Sequence, residues 1–225
     1  MYVLIRIAMG DVSVERDAVR VLCVLYFCGK TGQMHLRFGD DEDYTHTIDS
    51  ENDFQKIDFW LRYPDHFAAA LLRRCAPGES LFDRADKIKQ IIRRIFQDQE
   101  PDIRWEPMRR YLRGAHEPLD EVLLFLTSRW LVYRRLSKRP ARTQYFLTTK
   151  GCLAVERMMR DCPEIAWYAE RCKLIYSLLG DLEGLEKREM QYREPIYAGA
   201  PLRSIIERID DEVRQRFLER FGEPL

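Results

Sequence analysis

Apolar residues recur every three or four positions along most of the chain, which is the spacing that gathers them on one face of a helix. The first such stripe ends at Gly29 and consists of Val19, Leu22, Cys23, Tyr26 and Phe27. A second helix is predicted from Ser50 to Tyr63. Pro64 excludes its continuation and is well placed to open the next helix, which ends at Arg74.

Alternation of polar and apolar residues is rarer and predicts only a few short strands. One strand is predicted at residues 33–38, and two more, Trp130–Leu136 and Thr143–Leu147, are separated by a basic turn. The other helices predicted in the middle of the chain are a long amphipathic one that carries Ile88, Ile91, Ile92 and Ile95, a short one at Met108–Arg113, one at Leu119–Arg129, and one capped by Thr148 or Thr149. The predicted fold class is therefore mainly α with a few short β-strands.

Charge and helix-breaking residues divide the chain into three zones. Residues 1–76 are predicted to form an N-terminal helical region with short strands, either a degenerate winged helix or an extension of the domain that follows. Residues 79–161 show the order helix, helix, helix, strand, basic turn, strand, helix, which predicts a winged helix-turn-helix core. Residues 162–225 are predicted to form a C-terminal helical extension that ends in a helix over Leu202–Phe221.

Composition excludes several classes of protein. Of the 225 residues, 46% are apolar and 33% are charged, which is not the composition of an intrinsically disordered chain. No apolar run approaches the roughly 20 residues that cross a bilayer. The apolar start is short, is interrupted by Arg6 and lacks a basic flank, so we expect no secretory signal and a cytoplasmic location.

Cysteines, histidines and sequence motifs give no indication of catalysis. The six cysteines form no CxxC pair, and the four histidines lie at no ligand spacing to them, so we expect reduced thiols, no metal site and no cofactor. Phosphate-binding glycine loops, HExxH and GxSxG are absent from the sequence. His66 is expected on the surface in the first turn of a helix. We therefore expect no enzyme and name no catalytic residue.

Charge is balanced, with 37 basic and 37 acidic residues, which excludes a protein that holds DNA by bulk positive charge. A local basic cluster is nevertheless concentrated on the predicted wing and on the short helix before it. These residues could contact DNA phosphates without reading sequence, could meet an acidic partner surface, or could simply solvate a hairpin. The candidates are Arg109, Arg110, Arg113, Arg134, Arg135, Lys138, Arg139 and Arg142.

The predicted recognition helix, Leu119–Arg129, is poorly suited to reading bases. Asp120 and Glu121 occupy its first turn and would repel phosphates, and its middle is apolar. The acidic stretch from Asp40 to Asp58 is either a solvated loop or a docking patch for a basic partner. Four aromatic residues near Pro64 are either anchors of a protein interface or packing between the two helices that the proline separates; they are Phe59, Trp60, Tyr63 and Phe67.

Three stretches together resemble one family. They are residues 56–72 (KIDFWLRYPDHFAAALL), residues 145–151 (YFLTTKG), and Gly180-Asp-Leu182 with residues 190–195 (MQYREP). The second stretch is also similar to the segment that closes the wing in many bacterial winged-helix proteins. Together they resemble the middle component of bacterial ABC-three-component systems, which is the accessory subunit of Lamassu-type anti-phage defence.

This resemblance implies a non-enzymatic subunit with two protein partners, an SMC-like coiled-coil ATPase and an effector nuclease. It implies that the complex senses foreign DNA and that the accessory subunit helps restrain or release the effector. DNA contact, if made, would be to the backbone without sequence specificity, and no membrane is involved. The alternative is a stand-alone winged-helix transcription regulator that binds DNA as a dimer.

Overall fold

The structure, a computed structural model, describes residues 13–35, 43–97, 108–111, 114–116, 118–138, 141–179, 182 and 184–225. These residues are mostly helical and include a small antiparallel sheet, as predicted. They divide into two compact units. Unit 1 contains the described residues up to Asp58 and those from 118 to 182, and unit 2 contains those from Phe59 to residue 97, from 108 to 116 and from 184 to 225.

Unit 1 is built around one buried helix, α1 (Ser13–Cys28). Of its predicted apolar stripe, Leu22 and Cys23 are almost completely removed from solvent, whereas Val19, Tyr26 and Phe27 are only partly buried. Val24 and Leu25, which the stripe did not include, are fully buried as well. The four-stranded antiparallel sheet has the order β1-β2-β6-β5. Its strands are β1 (Lys30–His35), β2 (Asp43–Ile48), β5 (Val132–Lys138) and β6 (Ala141–Thr148).

Three more helices of unit 1 pack on α1, namely α5 (Asp120–Ser128), α6 (Thr149–Asp161) and α7 (Ile165–Leu179). The predictions for α5, for the β5–β6 hairpin and for α6 are confirmed. Thr148 is the N-cap of α6, since its side chain accepts a hydrogen bond from the backbone N–H of Gly151 at 2.9 Å. Helix α2 (Glu51–Arg62) carries residues of both units.

Unit 2 is mainly helical. It contains α3 (Pro64–Arg74), a 3-10 turn (Phe82–Arg84), α4 (Ala85–Gln97), a two-stranded hairpin and three later helices. The hairpin is formed by β3 (Arg109–Tyr111) and β4 (Gly114–His116). The later helices are α8 (Gly184–Tyr192), α9 (Pro195–Gly199) and α10 (Asp210–Phe221).

The units do not coincide with the predicted zones 1–76, 79–161 and 162–225. Helix α4 was expected to belong with the wing, but its buried face, which includes Ile88 and Ile92, packs against α3 in unit 2. The wing hairpin and its neighbouring helices lie in unit 1. The second zone is therefore shared between the units, because its apolar stripes are buried against elements from other zones.

Two predicted helices in unit 2 need correction. Within the predicted helix Met108–Arg113, the described residues form strand β3 instead. The reason is β-pairing, because residues 109–111 pair with β4, and Arg110 also donates its N–H to the carbonyl of Ser204 at 3.0 Å and accepts from the N–H of Arg203 at 2.7 Å. The bonds to Arg203 and Ser204 keep residues 203–206 out of the last helix. Helix α10 accordingly begins at Asp210 and not at the predicted Leu202.

Candidate functional site

The four aromatic residues proposed as interface anchors are core residues. Phe59, Trp60, Tyr63 and Phe67 are each 1% exposed or less. Phe59 stacks on Tyr63 with ring centroids 4.8 Å apart. The Tyr63 hydroxyl accepts from the N–H of Met108 at 2.9 Å and donates to the carbonyl of Ile206 at 3.2 Å. The interface hypothesis for these residues is therefore wrong, because a buried ring cannot meet a partner.

His66 is also buried, contrary to the prediction of a surface histidine. Its Nε2 lies 2.8 Å from the carbonyl oxygen of Glu207. The neighbouring Asp65 accepts a hydrogen bond from the N–H of Ile209 at 2.6 Å, just before α10. His66 and Asp65 thus fix the segment that leads into α10. Their partners lie far along the chain, and the sequence offers no local signal for such contacts.

The basic residues of the wing do not form one surface. Arg134 and Arg135 are consecutive in β5 and therefore point to opposite faces of the sheet. Arg134 pairs with Asp120 at 3.1 Å, whereas Arg135 donates to the Oε1 of Gln144 at 2.8 and 3.2 Å. Arg142 is exposed in β6. Lys138 ends β5, its side chain is outside the described atoms, and Arg139 lies outside the described residues.

The remaining basic candidates belong to unit 2. Arg109 donates to the carbonyl of Arg203 at 3.0 Å, and Arg110 donates to the carbonyl of Ala200 and lies over the ring of Tyr192. Arg113 lies outside the described residues. Arg109 and Arg110 therefore have structural contacts within their own unit and do not belong to the wing.

The described part of the acidic stretch is tied to neighbouring residues in unit 1. Asp49 accepts from Lys30 and from Gln144, each at 3.0 Å. Burial alone would raise the pKa of Asp49, but these two hydrogen bonds and nearby cations lower it below its usual value. Asp53 bonds to Ser50, and Asp58 is fully buried. Residues 40–42 lie outside the described ranges, and the side chains that are described do not form a solvated loop.

A second cluster in unit 1 brings a thiol to an imidazole. Cys152 Sγ lies 3.6 Å from Nδ1 of His46 and 2.7 Å from the hydroxyl of Thr45. Burial raises the pKa of the Cys152 thiol and lowers the pKa of His46. Both shifts favour the neutral forms. The pair is therefore a hydrogen-bonded contact and lacks the thiolate that nucleophilic catalysis requires.

A small cavity in unit 2 has room for about one water molecule. Its polar lining comes from His66, Arg73, Gln191 and Glu194, and the buried side-chain amide of Gln191 has no hydrogen-bond partner among the residues that the structure describes. A cavity of this size suits an ordered water and is too small for an organic substrate.

The outer side of α5 carries the most unusual exposed residues of unit 1. Val122, Leu123 and Leu126 form its buried side, whereas Leu124 is 71% exposed. Just beyond the helix, Trp130 is 61% exposed and has a φ of +57°. A bulky residue in this left-handed region is rare and signals backbone strain.

Hydrogen bonds hold this strained turn on both sides. The N–H of Trp130 donates to Thr127 at 3.0 Å, and the carbonyl of Trp130 accepts from the hydroxyl of Thr148 at 2.8 Å. Lys150 donates to the carbonyl of Arg129 at 2.8 Å. The Arg129 guanidinium lies 3.6 Å from the centre of the Phe125 ring. The turn is therefore well ordered while the indole remains exposed.

We call this region the α5 corner and define it by three exposed apolar residues and two exposed cations, Leu124, Arg129, Trp130, Lys150 and Leu153. Leu153 lies on α6 and is 50% exposed. The sequence analysis placed Trp130 at the start of a strand and missed this surface. The available signal was a tryptophan that directly follows a basic residue at the end of an amphipathic helix.

Comparison with models of known protein families, with curated proteins and with solved structures finds no match. In the ranges that the structure describes, no helix is both long and apolar enough to cross a membrane. These ranges also bring together no group of three or more His, Cys, Asp or Glu side chains that could hold a metal ion. The chemistry of the described surfaces is therefore the basis for proposing a function.

Proposed function

We propose that this chain is a non-catalytic accessory subunit that acts by docking on another protein in the cytoplasm. The observation that carries this proposal is the exposed side of α5. It presents Leu124, two carboxylates in its first turn and, just beyond its end, Trp130. Exposed tryptophan is typical of protein interfaces, the exposed leucine extends the apolar area, and carboxylates repel phosphate.

The resemblance of three sequence stretches supports a proposal for the class of partner. We propose an SMC-like coiled-coil ATPase within a Lamassu-type, ABC-three-component complex that senses foreign DNA, and a regulatory effect on its effector nuclease. The segment α5–β5–β6–α6 supports this assignment, because helix, hairpin and helix follow one another as in the second half of a winged helix. In this proposal α5 occupies the position of a recognition helix but binds a protein instead of DNA.

The second candidate is a winged-helix transcription regulator. The observation that favours it is the pair of exposed arginines on the wing hairpin, Arg134 and Arg142. Arg134 is engaged with Asp120, which reduces its value as a phosphate contact. A regulator would also need hydrogen-bond donors on α5 that read bases, but the first turn of α5 carries the carboxylates of Asp120 and Glu121.

Affinity purification of the tagged chain from its native host, followed by mass spectrometry, tests the proposal. Recovery of a long coiled-coil ATPase, with or without a nuclease, would support the accessory role. Recovery of the chain alone as a dimer on promoter DNA would overturn it in favour of the regulator.

A DNA-binding assay separates the two candidates independently. A regulator loses affinity when the bases of its site are scrambled. The accessory subunit is expected to bind duplex DNA weakly and equally for all sequences, and Arg142→Glu should then weaken every sequence alike and reduce the salt dependence. Arg160→Glu, at an exposed pair with Asp161 on α6, is the matched control.

A further inference from the structure

We propose that the α5 corner binds an amphipathic helix of the partner protein, which lies antiparallel to α5 and carries carboxylates in its first turn. This inference rests on the proposed function in one respect, since the coiled-coil ATPase would supply the helix. The surface, the type of occupant and its direction are argued from residues of unit 1.

Trp130 is the first line of support. Its φ of +57° is a conformation that glycine adopts freely and that a bulky side chain adopts at a cost. The indole does not offset that cost by burial, because it is 61% exposed. The left-handed φ itself belongs to the end of α5, where the N–H groups of Trp130 and Leu131 donate to the carbonyls of Thr127 and Leu126. This helix end does not require an exposed indole, and tryptophan is among the residues most enriched at binding hot spots.

Exposed aliphatic side chains extend the apolar area on both sides of the turn. Leu124 lies on the outer side of α5, and Leu153 lies on α6, one turn beyond Lys150. The hydrogen bond from Lys150 to the carbonyl of Arg129 brings the start of α6 to the end of α5. One exposed leucine in the middle of α5, another in the second turn of α6, and Trp130 suit the apolar stripe of a helix better than an extended peptide.

Charge determines the direction of the bound helix. The first turn of α5 is acidic, with Glu121 exposed and Asp120 paired with Arg134. Beyond the end of α5, Arg129 and Lys150 of the α5 corner are exposed and basic. Helices usually carry acidic residues in the first turn and basic residues in the last. An antiparallel helix therefore places its acidic turn against Arg129 and Lys150, whereas a parallel helix would bring like charges together.

The same charges argue against single-stranded nucleic acid, which could otherwise stack on an exposed tryptophan between cations. Asp120 and Glu121 would repel its phosphates, and Leu124 and Leu153 offer no ring on which a base could stack. Nucleic acid is therefore an outcome of the test and not the proposed occupant.

Photo-crosslinking in the native host tests the proposal directly. Trp130 and Glu121 are each replaced, in separate full-length variants, by p-benzoylphenylalanine, and crosslinked peptides are identified by mass spectrometry. Trp130 is expected to crosslink to the first turns of a partner helix and Glu121 to later turns of the same helix. Crosslinks to DNA or RNA, the reverse order along the helix, or no protein crosslink from either position would overturn the proposal.

Two substitutions test the contribution of the surface. Trp130→Gly should preserve or raise the melting temperature, because glycine relieves the strained turn, and should reduce recovery of the partner by roughly 10-fold or more, as expected for loss of an aromatic anchor. Leu124→Glu should likewise reduce recovery of the partner. The matched control is Leu202→Glu in unit 2, where the leucine is 52% exposed. Equal recovery with Trp130→Gly and with the wild type would overturn the inference.

The outcomes for the two proposals are distinguishable. If the wild type recovers the coiled-coil ATPase and Trp130→Gly recovers it equally well, the accessory role stands and the α5 corner is not its surface. If the crosslinks map to a helix of a different protein, the α5 corner is a docking surface and the SMC-like partner is wrong.

Discussion

Arg20 and Asp58 form an ion pair inside unit 1, with 2.8 Å between Nε and Oδ1 and side chains that are 2% and 0% exposed. Arg20 comes from α1 and Asp58 from α2, so the pair joins elements 38 residues apart. Arg20 also pairs with Asp17, one turn earlier in α1. Removing Asp58 takes one of its partners from the buried guanidinium of Arg20, and breaking a buried pair costs more than the pair itself contributes.

Asp58→Ala is therefore expected to lower the free energy of unfolding by about 3 kcal/mol, the low end of the cost of breaking a buried pair, because Asp17 still faces Arg20. Urea denaturation followed by far-UV circular dichroism measures the change. Asp161→Ala is the matched control, because Asp161 pairs with Arg160 at the surface, and its effect should stay within about 0.5 kcal/mol. Similar effects of the two substitutions would contradict a buried charge at Asp58.

The N-cap of α6 gives a second stability prediction. The hydroxyl of Thr148 accepts from Gly151 and donates to the carbonyl of Trp130. Thr148→Ala should destabilise the fold by about 0.5–2 kcal/mol, the range for loss of a helix cap. Thr148→Ser keeps the hydroxyl and should lose less. Thr127→Ala, at an exposed threonine of α5, should change the unfolding free energy little. An equal loss with Thr127→Ala would show that the loss with Thr148→Ala does not come from the helix cap.

The segment around this cap shows what the sequence can predict. The threonine pair was expected to cap a helix, and Thr148 does so. Gly151 follows three residues later because a Cβ there would lie only 2.3 Å from the carbonyl oxygen of Leu131. The β5–β6 hairpin and α5 are set by short-range signals of the same kind, namely alternation, apolar periodicity and capping.

Predictions failed where the deciding partner lies far along the chain. Residues Arg109–Tyr111 have helical propensity, but they pair with β4, and backbone bonds to Arg203 and Ser204 also hold Arg110 in place. Tyr63 is buried because its hydroxyl is satisfied by Met108 and Ile206. Neither set of partners can be read from local spacing, so the sequence could not separate an exposed aromatic anchor from a core residue.

Predicting the α5 corner required a different kind of information, namely the backbone conformation at Trp130. The acidic start of the predicted recognition helix was evident from Asp120 and Glu121, and it directed attention to α5. The exposure of Trp130 depends on its left-handed φ, which places the indole outside the sheet and helix that flank it. Positive φ is predictable for glycine but not for tryptophan, and the sequence analysis therefore missed the residue.

Thiol reactivity offers a third prediction. All six cysteines are free, and five of them are buried, the exception being Cys162. Burial, reinforced by the nearby Cys28 thiol, raises the pKa of Cys23 to about 12. The pKa of Cys162 is raised by its partial burial and by its hydrogen bond to Glu164, so even this thiol is a weak nucleophile at neutral pH.

Alkylation of the native protein with iodoacetamide at pH 8 should therefore modify Cys162 first and slowly. The other five thiols should react only after urea is added. Peptide mass spectrometry resolves the order. Rapid native labelling of Cys152 would show that its contact with His46 produces a thiolate, contrary to the neutral pair described above.

Stability in acid depends on Glu194 in unit 2. Its carboxylate accepts from Arg216 at 2.7 and 2.8 Å and from Arg73 at 3.0 Å. Burial alone would raise the pKa of Glu194, but the hydrogen bonds and charges of Arg216 and Arg73 outweigh it and lower the pKa below its usual value. The folded state therefore binds a proton less readily than the unfolded state does.

A lowered folded pKa contributes stability that is present above the unfolded pKa of about 4.3 and is lost as the pH falls through the folded value. Glu194→Gln should lower the free energy of unfolding at pH 7 by on the order of 2 kcal/mol, the scale of hydrogen bonds to a charged group. The variant should also lose less stability than the wild type between pH 6 and pH 3. These pH values lie about one to two units on either side of the unfolded pKa. Glu219→Gln, at an exposed carboxylate of α10, is the matched control and should follow the wild-type curve. Parallel pH curves for Glu194→Gln and the wild type would mean that Glu194 titrates alike in the folded and unfolded chains, and the ion pairs with Arg73 and Arg216 would then contribute nothing to acid stability.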